Sequence, residues 1–134
     1  MTPATVESLP LETDEHVVRV RQAVRARAIE LGFSLVEQTK VVTAASELAR
    51  NTIKHGGGGH ACLEVVDEVI RRGLRLAFHD SGPGIPNLEL ALKDGYSTGG
   101  GLGLGLSGAR RLSNEFSIDS TPGRGTRVVI TRWK

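Results

Sequence analysis

The chain has 134 residues, and its 17 Lys+Arg against 15 Asp+Glu leave a formal net charge of +2. So mild a balance, with 4% aromatic residues, excludes the basic, stacking-rich surface by which proteins hold nucleic acid. Cys62 is the sole cysteine, which excludes an internal disulfide and a cysteine-based structural zinc site. The first residues lack the basic start and apolar run of a signal peptide, and no apolar stretch approaches the ~18 residues of a membrane-spanning helix. A single cytoplasmic domain over residues 1–134, engaging no membrane, is the expectation.

Residues 1–12 read as a tail or an edge strand. Thr13 caps a helix through Leu31, with Val17, Val20, Val24, Ala28 and Leu31 on one face and Gly32 as its stop. Ser34 and Glu37 form a capping box for a second helix through about His55, with Val41, Ala45, Leu48 and Thr52 as its apolar stripe. Residues 61–66 and 74–80 read as strands joined by the polar turn Arg71-Arg72-Gly73. A loop holding Gly82-Pro83-Gly84 follows, then a short helix near Leu88–Leu92 and another over Leu104–Leu112. Residues 115–120 and 126–133 form a second hairpin, turned by Pro122-Gly123-Arg124-Gly125. Strands that come as hairpins predict a largely antiparallel sheet with the helices on one face, an α+β fold.

Glycine is the unusual component, at 17 residues. Gly56 to Gly59 form one run, and a second cluster lies between Gly95 and Gly108. Glycines clustered inside a globular chain suggest backbone that comes close to a ligand.

Three elements could carry chemistry. On the second helix Glu47 and Asn51 are four apart and share a face that Lys54 and His55 extend. Alone this reads as a solvated face, yet a carboxylate and an amide at that spacing are also hard oxygen donors for a hydrated divalent cation. The second element is His79-Asp80-Ser81-Gly82-Pro83-Gly84-Ile85-Pro86. Its residue types suit an ordinary turn, but Asp80 ends a strand, so its carboxylate should sit at the sheet rim. There it could accept a hydrogen bond from an exocyclic amine and select adenine. The third is Ser97-Thr98-Gly99-Gly100-Gly101-Leu102-Gly103-Leu104-Gly105-Leu106, a glycine-rich loop opening a helix and a candidate phosphate cradle. Gly103, Gly105 and Gly108 match the G-x-G-x-x-G spacing, but no strand leads into them and no parallel βαβ unit surrounds them. No P-loop Gly-Lys pair followed by Ser or Thr occurs. The four histidines lack zinc-like spacing, and Cys62 reads as a small core residue.

The order Glu-x-x-x-Asn, Asp-x-Gly-x-Gly, then Gly-Leu-Gly-Leu-Gly-Leu resembles the Bergerat ATP-binding fold of gyrase, Hsp90, MutL and histidine-kinase ATPase domains. The closing Gly125-Thr126 resembles that family's last motif. Within it, Ser46-Glu47-Leu48-Ala49-Arg50-Asn51, Gly82-Pro83-Gly84-Ile85-Pro86, Asp94-Gly95-Tyr96-Ser97-Thr98 and Glu115-Phe116-Ser117 resemble the RsbT-type switch serine kinases, close kin of the anti-sigma kinases. The core Gly103-Leu104-Gly105-Leu106-Ser107 is less distinctive and is similar to histidine kinases. The likeness runs from about residue 13 to the C-terminus.

This resemblance implies a two-layer sandwich of a mixed, mostly antiparallel sheet with helices on one face. It implies an ATP- and Mg²⁺-dependent serine/threonine kinase acting on a STAS-domain antagonist or scaffold, and activating a PP2C-type phosphatase when released. Asp80 would accept the adenine amino group, with Gly82 and Gly84 letting the base approach and Thr126 supporting it. Asn51 would coordinate Mg²⁺. Ser97, Thr98, Gly101, Leu102, Gly103, Leu104 and Gly105 would surround the phosphates. Glu47 would accept or orient the proton of the incoming hydroxyl. Two alternatives stay open: an anti-sigma factor that sequesters a sigma subunit, and a module that binds ATP without catalysis.

Overall fold

The computed structural model describes residues 6–85, 89, 92 and 106–134. Among the described residues, five strands and three helices follow one another as β1 (Val6–Leu11), α1 (Asp14–Glu30), α2 (Leu35–Lys54), β2 (Gly59–Asp67), β3 (Arg72–Asp80), α3 (Leu106–Arg111), β4 (Glu115–Thr121) and β5 (Gly125–Trp133). Of the short helix expected over Leu88–Leu92, only Glu89 and Leu92 are described. Ser97, Thr98, Gly101, Leu102, Gly103, Leu104 and Gly105 lie outside the described residues.

Each long helix begins where side chains can satisfy free backbone donors. At α2 the Glu37 N–H donates to Ser34 Oγ (3.1 Å), and the Ser34 N–H donates to Glu37 Oε1 (3.0 Å). At α1 a histidine takes the glutamate's part: the Glu12 and Thr13 N–H groups donate to His16 Nδ1, at 3.0 and 3.3 Å. The α1 chain turns away after Glu30 as the Phe33 N–H returns to the Ala28 carbonyl (2.9 Å).

The sheet order is β1-β2-β3-β5-β4. Every pairing among the described residues is antiparallel, so the mixed sheet implied by the resemblance is corrected: hairpins and one long return leave no parallel neighbours. Residues 6–11 form an edge strand rather than a tail, pairing from Val6↔Glu64 to Leu11↔Gly59. Leu74, Leu76 and Phe78 point from β3 into the core beside Leu63 and Ile130, and Val20, Val24, Val41 and Leu48 meet them from α1 and α2. Each such side chain stabilises by roughly 1.5–3 kcal/mol on burial, which holds both helices on this face.

Two local readings are corrected. The β2–β3 turn spans Glu68–Arg71, closed by the Glu68 N–H to the Arg71 carbonyl (2.8 Å). Arg72 and Gly73 already belong to the ladder, opposite Asp67 and Val66. The turn closes early because the Arg71 guanidinium pairs with Glu68 (2.9 Å) and lies over the Trp133 ring, 3.7 Å from its centroid. Cys62 is only half-buried, because strand alternation puts it on the face opposite the helices, 4.0 Å from Ser8 Oγ.

The α2 cap generates a pH prediction. Glu37 is held below its ordinary value, chiefly because its carboxylate accepts from the Ser34 backbone N–H. A carboxyl depressed in the fold contributes stability that is complete above its unfolded value and is lost as pH falls through the folded one. Urea unfolding of Glu37→Gln should therefore show a shallower loss of stability on the acid side than wild type. Ser34→Ala should cost about 1 kcal/mol at neutral pH.

Candidate nucleotide site

Three element ends converge on one pocket. Leu48, Asn51, Thr52 and His55 reach it from the last turns of α2, at the i and i+4 spacing that puts side chains on one helix face. Phe78 and Asp80 come from the end of β3, and Thr126 and Val128 from the start of β5, each pair two apart and so on one sheet face. Ile85 and Leu106 complete the wall. The pocket is a narrow apolar slot with a cavity volume of about 20 Å³, room for roughly one water, so a flat ring would enter as its walls part.

Its polar groups are held by the backbone around them. Asp80 sits between Gly59 of β2 and Thr126 of β5 in the ladder. Its Oδ1 accepts from the Gly82 N–H (2.9 Å). Gly56, just past α2, lies so close to the Asp80 carboxyl that a Cβ there would overlap it. The His55 Nε2–H donates to the Gly84 carbonyl (3.1 Å), which ties the helix end to the loop after β3. Gly84 has φ +78°, and a Cβ on it would stand 2.6 Å from the Thr121 carbonyl oxygen. Ser120 of β4 accepts from the Ile85 N–H (2.7 Å) and shares a hydrogen bond with Thr126 Oγ1 (2.8 Å). On the opposite face of the sheet the His60 and His79 rings stack with centroids 4.8 Å apart. Burial first, then the charges of His60 and Arg127, pushes His79 below its ordinary value.

Of the expected site residues, Asn51, Asp80 and Thr126 line this one pocket, with Gly82 and Gly84 in the loop beside it. Glu47 does not line it. It pairs with Arg50 at 3.1 Å and borders a separate groove between α1 and α2. Sequence reasoning missed the roles of His55, Gly56 and Ser120. His55 carried a signal, since it lies one turn beyond Asn51. Ser120 carried none, because only strand register brings it to Ile85 and Thr126.

The family profile described as histidine kinase-, DNA gyrase B- and HSP90-like ATPase matches residues 36–134. The chain belongs to this ATPase family. Among curated relatives, the serine/threonine-protein kinase RsbT of Bacillus subtilis is 44% identical over 121 residues, covering 90% of this chain and 91% of that protein. An anti-sigma F factor of Bacillus licheniformis is 31% identical over 136 residues, covering 95% and 89%. Among solved structures, one holding the RsbU and RsbW domains of Rv1364c from Mycobacterium tuberculosis superposes with a TM-score of 0.65 at 21% identity. It covers 98% of this chain, which spans about a third (32%) of that one, and the likeness speaks for the fold. The matched residues 36–134 include the parts of α2, β3 and β5 that converge on the pocket.

The geometry at Gly84 separates backbone strain from crowding. Gly84 and Gly123 share a positive φ, +78° and +80°, but nothing lies within 4 Å of a Cβ built on Gly123. Gly123→Ala should cost only the left-handed penalty, about 1–2 kcal/mol. Gly84→Ala should cost clearly more and also weaken nucleotide binding, as urea unfolding and calorimetry on both variants would show.

Proposed function

We propose that this chain is an ATP-dependent serine/threonine protein kinase of the partner-switching type, a single cytoplasmic kinase domain over residues 1–134. Its substrate would be a STAS-domain antagonist or scaffold of a bacterial stress-response pathway. Its second partner, taken once the first is phosphorylated, would be a PP2C-type phosphatase. The observation that carries the nucleotide reading is the carboxylate of Asp80 at the end of an apolar slot. One oxygen is fixed by the Gly82 N–H, and the other has no hydrogen-bond partner among the described residues. An acceptor so placed can take a hydrogen bond from a ligand donor, and the exocyclic amine of adenine is one. The similarity to a serine/threonine-protein kinase over nine-tenths of the chain supports the choice of reaction.

The residues present fit ATP with Mg²⁺. Leu48, Phe78, Ile85 and Val128 would sandwich the base, and Thr126, steadied by Ser120, would support its edge. The Asn51 amide oxygen is a hard donor suited to Mg²⁺, with water and phosphate oxygens completing the shell. Ser97, Thr98 and the run Gly101, Leu102, Gly103, Leu104, Gly105 would cradle the phosphates. Bound there, ATP supplies an activated phosphoryl group, whose transfer asks the protein chiefly for alignment and charge neutralisation. Glu47 would take the proton of the incoming serine or threonine hydroxyl at a carboxylate oxygen. That requires Arg50 to give way, and an ion pair with both side chains near half exposed (47% and 42%) yields readily. A second reading, sequestration of a sigma subunit, is favoured by the 31% identity to an anti-sigma F factor. Co-purification from the native cell separates the two: a STAS assembly on one side, a sigma factor on the other.

Two outcomes are expected. ATP should bind well and GTP poorly, because guanine turns a carbonyl toward Asp80 and leaves acceptors unpaired at about 1–3 kcal/mol. Equal calorimetric affinities would remove this role, and Asp80→Asn should weaken ATP binding while the fold persists. Second, Asn51→Ala should lose nucleotide binding and transfer together. Glu47→Ala should retain ATP and slow single-turnover phosphorylation of a STAS partner by roughly 10²-fold or more. Wild-type transfer by Glu47→Ala would move the base onto the substrate.

A further inference from the structure

We infer that the groove between α1 and α2, which borders Glu47, is a docking site for an acidic segment of the protein substrate. The inference rests on the kinase reading above and assigns what steers the hydroxyl toward Glu47. The groove has a cavity volume of about 230 Å³. Arg21 and Arg25 line it from α1, and Val42, Ser46, Glu47 and Arg50 from α2.

Charge is the first support. Three guanidinium groups face one carboxylate, so the groove carries a local excess of two positive charges in a chain whose whole formal charge is +2. Arg19 and Arg27 on the same helix are neutralised by Glu15, and by Glu7 and Glu30. Arg21 and Arg25, both exposed, have no ion-pair partner among the described residues. One turn apart, they present two planar forks in succession, each matched to a carboxylate.

The second support is independent of charge. Ser46 is 6% exposed, makes no hydrogen bond to a described residue, and keeps its hydroxyl within reach of solvent in the groove. Helical hydroxyls commonly bond back to the carbonyl four residues earlier. Here Thr39 does so to Leu35 and Thr52 to Leu48, both at 2.9 Å. Ser46 instead lines the groove with its hydroxyl open to solvent there, where a peptide group could take water's place.

The shape argues for a peptide over a small free anion. The α2 wall extends from Thr39 to Arg50, which at helical rise is roughly 16 Å, several times the width of a phosphate. A carboxylate arriving at the Arg50 end would draw that guanidinium from Glu47, so the seated substrate frees the group that receives its proton. Selectivity for an acidic segment and release of Glu47 then become one event.

The test uses the full chain with a saturating non-hydrolysable ATP analogue. The probe is a short fluorescent peptide with one serine flanked by aspartates, followed by anisotropy. A peptide with asparagine in place of each aspartate serves as control. The acidic peptide should bind, lose affinity as salt rises, and lose about tenfold or more in the Arg21→Glu/Arg25→Glu double variant. Ser46→Ala should weaken it severalfold, and ATP affinity and thermal melting of all variants should match wild type. The inference is overturned if the double variant binds the acidic peptide as wild type does, if the asparagine peptide binds equally, or if wild type binds neither. Inorganic phosphate displacing the peptide as well as unlabelled peptide at equal concentration would mark a general anion site and overturn it too. Failure of wild type to bind ATP would instead strike the kinase reading, and the peptide result would still be read on its own.

Discussion

The close approach of the end of α2 to the Asp80 carboxylate is the constraint on which the pocket depends. α2 must deliver Asn51 and His55 to the same small volume that β3 reaches with Asp80. That geometry leaves no room for a side chain where the helix stops, and Gly56 has none. His55 then reaches the Gly84 carbonyl, and Gly82 fixes Asp80 from the other side. Helix end, strand end and loop are thus locked by contacts that each need a particular residue. These contacts fix where the three ends meet, while the slot between them, with room for about one water, has to widen before a flat ring can enter.

α2 serves two compartments. Its Leu48, Asn51, Thr52 and His55 line the apolar pocket, while Val42, Ser46, Glu47 and Arg50 line the groove against α1. Glu47 and Asn51 are only one turn apart, yet they look into different spaces. The capping box at Ser34 and Glu37 holds the far end of that helix.

Much of this was legible from residue order. The apolar stripes of α1 and α2, both helix starts and the two hairpins follow from local periodicity and capping chemistry, which act within a few residues. Asn51, Asp80 and Thr126 were legible as a group because their motifs resemble those of a family. What local signals could not supply was register. Ser120 reaches Thr126 and Ile85 only because β4 and β5 pair as they do. The early β2–β3 turn depends on Trp133, some sixty residues away. Likewise the half-burial of Cys62 follows from which sheet face the helices cover, a tertiary choice that an apolar strand does not announce.

The order β1-β2-β3-β5-β4 has a consequence for the life of the chain on the ribosome. Asp80 pairs directly with Thr126, and the pocket's third wall is β5. Residues 81–124 must emerge and loop back before that pairing can form, a closure that costs entropy before any contact repays it. Until Thr126 and Val128 are in place the pocket lacks its third wall, whatever the earlier elements have formed. A ligand that binds only the folded pocket would therefore stabilise only molecules whose β3–β5 pairing has closed.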